Sequence, residues 1–148
     1  MSAAIEVEQL PEFLNGVVQQ LQNPDASKAF EHWLPEFIGE VGRGFQSSQS
    51  PFGDGWAPLK HPRPAGHNPG SRPLIDTGDL ELSLIGEGEG NITQITNDSL
   101  VYGTSIPYAG FHQHGTSNIP ARPFLNVNED QLSRLANDVA EQIIQSLA

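Results

Sequence analysis

Tyr108-Ala109-Gly110-Phe111-His112-Gln113-His114-Gly115-Thr116-Ser117-Asn118-Ile119-Pro120-Ala121-Arg122-Pro123-Phe124-Leu125 holds more groups with particular geometric demands than any other part of the chain. Its second half is stiff. Pro120 and Pro123 each fix a backbone angle and push the residue before them toward an extended form. Arg122 is thereby held on a rigid strap, where a guanidinium suits a bidentate contact with a carboxylate. The first half begins after Pro107, a favourable first residue for a helical turn, and Gly115 is placed to end that turn.

Within this stretch, His112 and His114 invite a metal-centred reading, or one in which His112 acts as a general base. A zinc site needs three or four ligands and an ordered outer shell. His-x-His shares one face only in an extended strand. On a helical turn the two rings point about 160° apart, because each residue rotates ~100°. The chain has no cysteine and no second His-x-His. The plainer reading is a turn whose Tyr108, Phe111 and Phe124 fill a core while the polar groups cap it, and that reading is compatible with an interaction role.

With 148 residues the chain fits one domain, 1–148, large enough to bury a core without covalent staples. Zero cysteines exclude disulfides, Cys-ligated zinc and thiol catalysis. No apolar run approaches the ~20 residues of a membrane span, and the N-terminal residues lack the pattern of a signal peptide, so a soluble protein made in a cytoplasm is expected. Seven basic against eighteen acidic residues give a net charge of −11. That balance opposes loose binding to nucleic acid and favours basic partners or simple solubility.

Outward from the strap, the N-terminal part (8–48) reads as helical. Leu10, Phe13, Leu14, Val17, Val18 and Leu21 recur at helical spacing, with Pro11 suited to a first turn. Asn23-Pro24-Asp25 breaks the pattern, and Asp25 can cap the next helix. Phe30, Trp33, Leu34, Phe37, Ile38, Val41 and Phe45 then form an aromatic-rich stripe of the kind that builds a core. Pro35 lies inside it, so a kink or a junction of two helices is expected near Leu34. Gly39, Gly42 and Gly44 each weaken a helix by ~1 kcal/mol relative to Ala and suggest close approach of another chain or element.

Residues 51–73 read as a long Pro/Gly-rich arm, with six prolines and four glycines. A run of this length without regular structure is either functional or disordered, and its prolines make it stiff enough to reach across a neighbour. The arm gathers Lys60, Arg63 and Arg72, with His61 and His67, against Asp54. It could dock on the acidic face of another subunit or, as a weaker option, on DNA. Trp56 beside Leu59 calls for a surface to cover it.

Residues 74–126 read as a β-rich part containing the short helical turn. Leu74 to Leu84 stays open: Thr77 can cap a helix, yet Leu80, Leu82 and Leu84 alternate as in a strand. Ile92–Thr96 and Leu100–Tyr102 read as strands joined at Asn97-Asp98. In 128–147, Asn128 with Gln131 forms a capping box ahead of an amphipathic helix bearing Leu132, Leu135, Val139, Ile143 and Leu147. The fold class is α+β: N-terminal helices, arm, small antiparallel sheet and C-terminal helix.

Ordered fragments of this sequence resemble the Mu-like phage virion morphogenesis, or tail completion, family. They are Gly42-Arg43-Gly44-Phe45, Ser50-Pro51-Phe52-Gly53, Trp56-Ala57-Pro58-Leu59 and Leu74 through Thr77-Gly78, Leu80 and Ser83. Tyr102-Gly103-Thr104 comes next, then Tyr108-Ala109 with His112-Gln113 and Gly115, and finally Ile119-Pro120-Ala121-Arg122-Pro123-Phe124-Leu125. The matches run in order from about residue 37 to 126. The sequence departs from the family pattern where Gly44 stands between Arg43 and Phe45, and where Phe52 replaces a usual Asp. The arm between His61 and Arg72 belongs to this sequence's own branch.

The resemblance implies a small non-enzymatic subunit of a tailed bacteriophage particle that finishes the tail or joins it to the head. It further implies work as a ring of like subunits, expected to be hexameric, against tail tube, sheath or head-tail connector proteins. DNA would lie only in the lumen, with no membrane and no cofactor or metal. On that reading Trp56, Lys60, Arg63, Arg72, Tyr108, His112, Gln113, Arg122 and Phe124 are the candidate subunit-interface residues. The arm would order when a neighbour supplies its surface. Kept beside it are a tail terminator or neck adaptor in the same assembly, a metal-dependent hydrolase using His112 and His114, and an acidic mimic of nucleic acid. The last needs carboxylates in a regular ribbon, whereas here they scatter along the chain.

Overall fold

The computed structural model describes residues 10–51, 53–61, 63, 72–86 and 88–147. Among them are five helices and one two-stranded antiparallel sheet, an α+β architecture. The arm residues 62 and 64–71, His67 included, and residues 8 and 9 of the N-terminal part lie outside the described residues.

The longest helix organises the others. It is α2, Ser27–Ser47, following α1, Leu10–Gln22. Asp25 accepts from the Ser27 backbone N–H at 3.0 Å and its hydroxyl at 2.6 Å, which satisfies one of the orphan donors at the start of α2. These bonds to the charged form hold the Asp25 carboxyl below its ordinary range, hydrogen bonding from Ser27 being the main cause. The aromatic stripe is buried as its spacing requires: Phe30, Trp33, Leu34, Phe37, Val41 and Phe45 all face inward.

Of the two outcomes expected near Leu34, the junction of two helices does not occur: α2 runs through Pro35 as one helix. Pro35 lies on the exposed face, while Trp33 and Leu34 before it and Phe37 and Val41 after it are held in the same core. Burial on both sides outweighs the loss of one helical bond. At the helix end, a Cβ on Gly44 would sit 2.7 Å from the Gln49 carbonyl oxygen. The close approach expected at this glycine comes from the chain's own return.

That return begins at Ser48, in the left-handed conformation, and pairs Gln49 with Gly55 in an isolated bridge. The Trp56 N–H then bonds the Ser48 carbonyl at 2.8 Å. The Trp56 ring is buried edge-on against Phe45, so the surface it called for is the subunit's own core.

Leu74 to Leu84 resolves as a helix at its end: α3, Asp79–Leu84, with Gly78 as N-cap. Leu80, Ser83 and Leu84 point inward and Leu82 outward. The alternation of leucines was misleading because the middle inward position is polar. Ser83 is completely buried, and its hydroxyl donates to the Leu80 carbonyl at 2.7 Å and lies 2.8 Å from Thr104 Oγ1. The hairpin comes next as β1, Asn91–Ile95, and β2, Leu100–Thr104, in antiparallel register with Ile95 opposite Leu100. Its Thr96–Ser99 turn centres on Asn97-Asp98 as expected. With α3 and a further short helix beside it, the segment 74–126 carries more helix than a β-rich reading anticipates.

The C-terminal helix α5, Glu129–Ser146, opens with the expected capping box. Asn128 accepts from the Gln131 N–H at 2.8 Å, and the Gln131 side chain accepts from the Asn128 N–H at 2.9 Å. It lies along α2, where Trp33 Nε1 donates to the Gln131 carbonyl at 3.1 Å and Gln142 accepts from the Ala29 N–H at 2.7 Å.

Candidate functional site

The strap is positioned by side chains that bond backbone. After Pro107, helix α4 spans Ala109–His114 and stops at Gly115, with φ 76° and ψ 170°. A Cβ there would lie 2.8 Å from the Ala121 nitrogen and 3.0 Å from the Ile119 oxygen, so only glycine lets the chain double back this tightly. The strap then runs beside α4, joined by the Arg122 N–H to the His112 carbonyl at 2.7 Å.

Gln113 holds this geometry. Its Oε1 accepts from the Phe124 N–H at 3.0 Å and the Leu125 N–H at 3.1 Å, and its Nε2 donates to the Leu125 carbonyl at 2.8 Å and Asn126 Oδ1 at 3.2 Å. One amide thus satisfies backbone that would otherwise lack partners.

Arg122 departs from its expected role. It is 5% exposed and bonds no carboxylate among the described residues: Nε donates to the Ala57 carbonyl at 2.7 Å and one Nη to the Pro58 carbonyl at 3.1 Å. In return, Trp56 Nε1 donates to the Pro123 carbonyl at 2.8 Å. The start of the arm and the strap are therefore laced together by reciprocal bonds. Phe124, 2% exposed, fills the space between them against Phe45.

Of the nine candidate interface residues, Trp56, Gln113, Arg122 and Phe124 are thus used inside the subunit. Arg72 serves the end of α2, donating to the Phe45 and Gln46 carbonyls at 3.2 and 3.3 Å. Lys60 and His61 are exposed on the rim of a groove between 57–61 and 116–120. Tyr108 and Phe111, expected in the core, are on the surface, because Ala109 is the only residue of α4 that faces fully inward.

Arg63, Tyr108, His112 and Arg122 do come together, lining one cavity of about 430 Å³. Asp76 and Asp79 line its other side, and the sequence offered no sign of them while 74–84 stayed open. The His112 ring meets Tyr108 edge-on at 5.9 Å, and its Nδ1 is buried without a hydrogen-bond partner among the described residues. Burial first, then the charges of Arg122 and Arg63, push the His112 pKa below its ordinary 6.5. Burial first, then Asp79 and Asp76, push the Tyr108 hydroxyl up. The cavity therefore has a cationic wall and an anionic one.

His114, by contrast, is exposed, two residues along α4 from the half-buried His112. The pair cannot converge on one ion without unwinding the turn. Among the described residues no group of three or more His, Cys, Asp or Glu is placed to hold a metal. Among those residues, too, no helix is long and apolar enough to cross a membrane.

Comparison with known proteins extends beyond these motifs. The chain is similar to the Mu-like prophage FluMu G protein 1 of Haemophilus influenzae (strain ATCC 51907 / DSM 11121 / KW20 / Rd), with 32% identity over 103 residues. The match spans 65% of this chain and 64% of that relative, somewhat under two thirds of its length. No solved structure matches. The model of the phage virion morphogenesis family matches residues 5–144, nearly the whole chain, and the chain belongs to that family.

Proposed function

We infer that the chain is a non-enzymatic structural subunit of a tailed phage, which completes the tail or joins it to the head as a ring of like copies. The ring closes by repeating one head-to-tail contact. Its further neighbours are tail tube, sheath or connector proteins, and DNA passes only through the lumen. Assembly takes place in the host cytoplasm, and the finished place is the tail or neck.

Membership of a virion morphogenesis family supports this reading. The single observation that carries it beyond the family is the surface built over the laced strap. Tyr108 is exposed where it lines the arginine-bearing cavity, Leu82 is exposed in an adjoining groove that Tyr108 also lines, and Phe111, 56% exposed, lies three residues on in α4. Aromatic groups and arginine are enriched where proteins meet. The rigid strap holds that surface in place before any partner arrives, which lowers the ordering cost of association.

The test is genetic. Phage lacking the gene should accumulate filled heads and separate tails, and the wild-type gene supplied in trans should restore joined particles. Normal yields of infectious particles without the gene would refute the role.

A further inference from the structure

The cavity between α3, α4 and the arm is lined by Arg63 and Arg122 and also by Asp76 and Asp79. Arg122 is almost wholly buried, and Arg63, half-buried, donates to the Arg72 carbonyl at 2.8 Å. Among the described residues neither has a carboxylate in contact, although the chain has eighteen acidic residues to seven basic ones. A guanidinium carries five N–H donors, and each of these two leaves several unused among the described residues. His112 Nδ1 adds a third polar atom without a partner there. Buried cationic groups left without a counter-ion are costly, and the cost is relieved when an anion enters.

We propose that this cavity is a socket for a carboxylate side chain carried by a second copy of the same chain. The inference rests on the ring reading and names the contact that builds it. Planar arginine suits a carboxylate because two parallel N–H···O bonds fix its orientation. A second copy is the favoured source on charge complementarity. At −11 the chain has eighteen acidic side chains to offer, whereas cationic groups are few and two of them share this cavity. A carboxylate from elsewhere on the surface entering this cavity on the next copy would make a head-to-tail contact, the kind that a ring repeats. A nucleic-acid phosphate fits less well. A polyanion would set an unbroken row of charges against an acidic chain, whereas a protein partner can present a single carboxylate amid neutral side chains. The exposed Tyr108 that lines the cavity suits a partly apolar protein surround for the ion pair.

Arg63 is the residue to change, since Arg122 also holds the strap. The full-length chain, Arg63→Gln and Arg63→Lys would be compared by sedimentation equilibrium over a concentration series, with circular dichroism melting as a control for folding. The wild-type chain should self-associate. Arg63→Gln should weaken association about tenfold or more with an unchanged melt, and Arg63→Lys should recover part of the loss. Equal association of wild type and Arg63→Gln, or a wild type that stays monomeric throughout, would overturn the socket. A fluorescent DNA duplex bound in an Arg63-dependent way, with self-association unaffected, would overturn it in favour of phosphate. Each of these results leaves the virion role standing; that role falls only if particles form normally without the gene.

Discussion

Helices α1 and α2 carry apolar stripes of the same spacing and meet opposite fates. In α2 the stripe is the core itself, with Val41 and Phe45 almost fully buried. In α1, Leu14, Val18 and Leu21 stand in solvent, Leu21 at 64%. The link between them is tied down, since the Ala26 N–H bonds the Asn97 carbonyl at 2.7 Å. The difference therefore begins at α1, not at its hinge. Periodicity specifies that a helix forms and which face is apolar; it does not specify what that face meets. In α2 the partner is written in the same chain, as Leu80, Leu84, Trp56 and Phe124.

This contrast can be broken by substitution. The largest effect should come from the buried side. Phe45→Ala or Phe124→Ala should cost about 3–5 kcal/mol of unfolding free energy, read from urea titration. A cost under about 1 kcal/mol would mean the aromatic core is not formed as described.

The lacing should come next. Gln113→Ala removes four bonds and strands two backbone N–H groups, and Arg122→Ala removes two charged bonds; each should cost on the order of 3 kcal/mol. Arg122→Ala should therefore fold poorly, where a pure interface residue would leave the monomer unaffected. Asn128→Ala, which breaks the capping box, should cost about 1 kcal/mol.

The exposed side should barely register. Val18→Ser in α1 should change stability by no more than about 0.5 kcal/mol. A large loss would show that the stripe is covered within the subunit.

The cavity supplies a pH test. The folded pKa of His112 lies below its unfolded value near 6.5, so the unfolded chain binds the extra proton first. Stability should fall as pH drops below about 6.5, until the folded pKa is also passed. His112→Gln should flatten that part of the profile, measured by thermal melting between about pH 7 and 5, a window chosen around the imidazole range of roughly 6.5. An unchanged slope would place the titrating group elsewhere.

Much of the architecture was legible because it rests on local signals. The helix stripes, the Asn97-Asp98 turn, the Asn128–Gln131 box and the Gly115 stop each state their geometry within a few residues. The features that stayed hidden depend on partners far along the chain. Pro35 left a two-helix junction open, and burial on both sides kept α2 a single helix. Ser83 concealed α3 because a buried hydroxyl served by Leu80 and Thr104 leaves no apolar mark. For the site, stiffness at Arg122 was readable, but its acceptors are the Ala57 and Pro58 carbonyls, and carbonyls have no sequence signature. The gathering of Arg63, His112 and Arg122 around one cavity is likewise a fact of tertiary structure alone.

The central claim is that unusual side chains build a rigid subunit whose outer face then meets its own kind in a closed circle. An image reconstruction of the intact particle tests this most directly. The account predicts a ring of this subunit around the tail axis, at the tail's end or in the neck, with the Tyr108–Arg63 face turned toward the adjacent copy. A particle and a tail precursor that both lack the polypeptide, or that hold isolated copies without mutual contact, would contradict it.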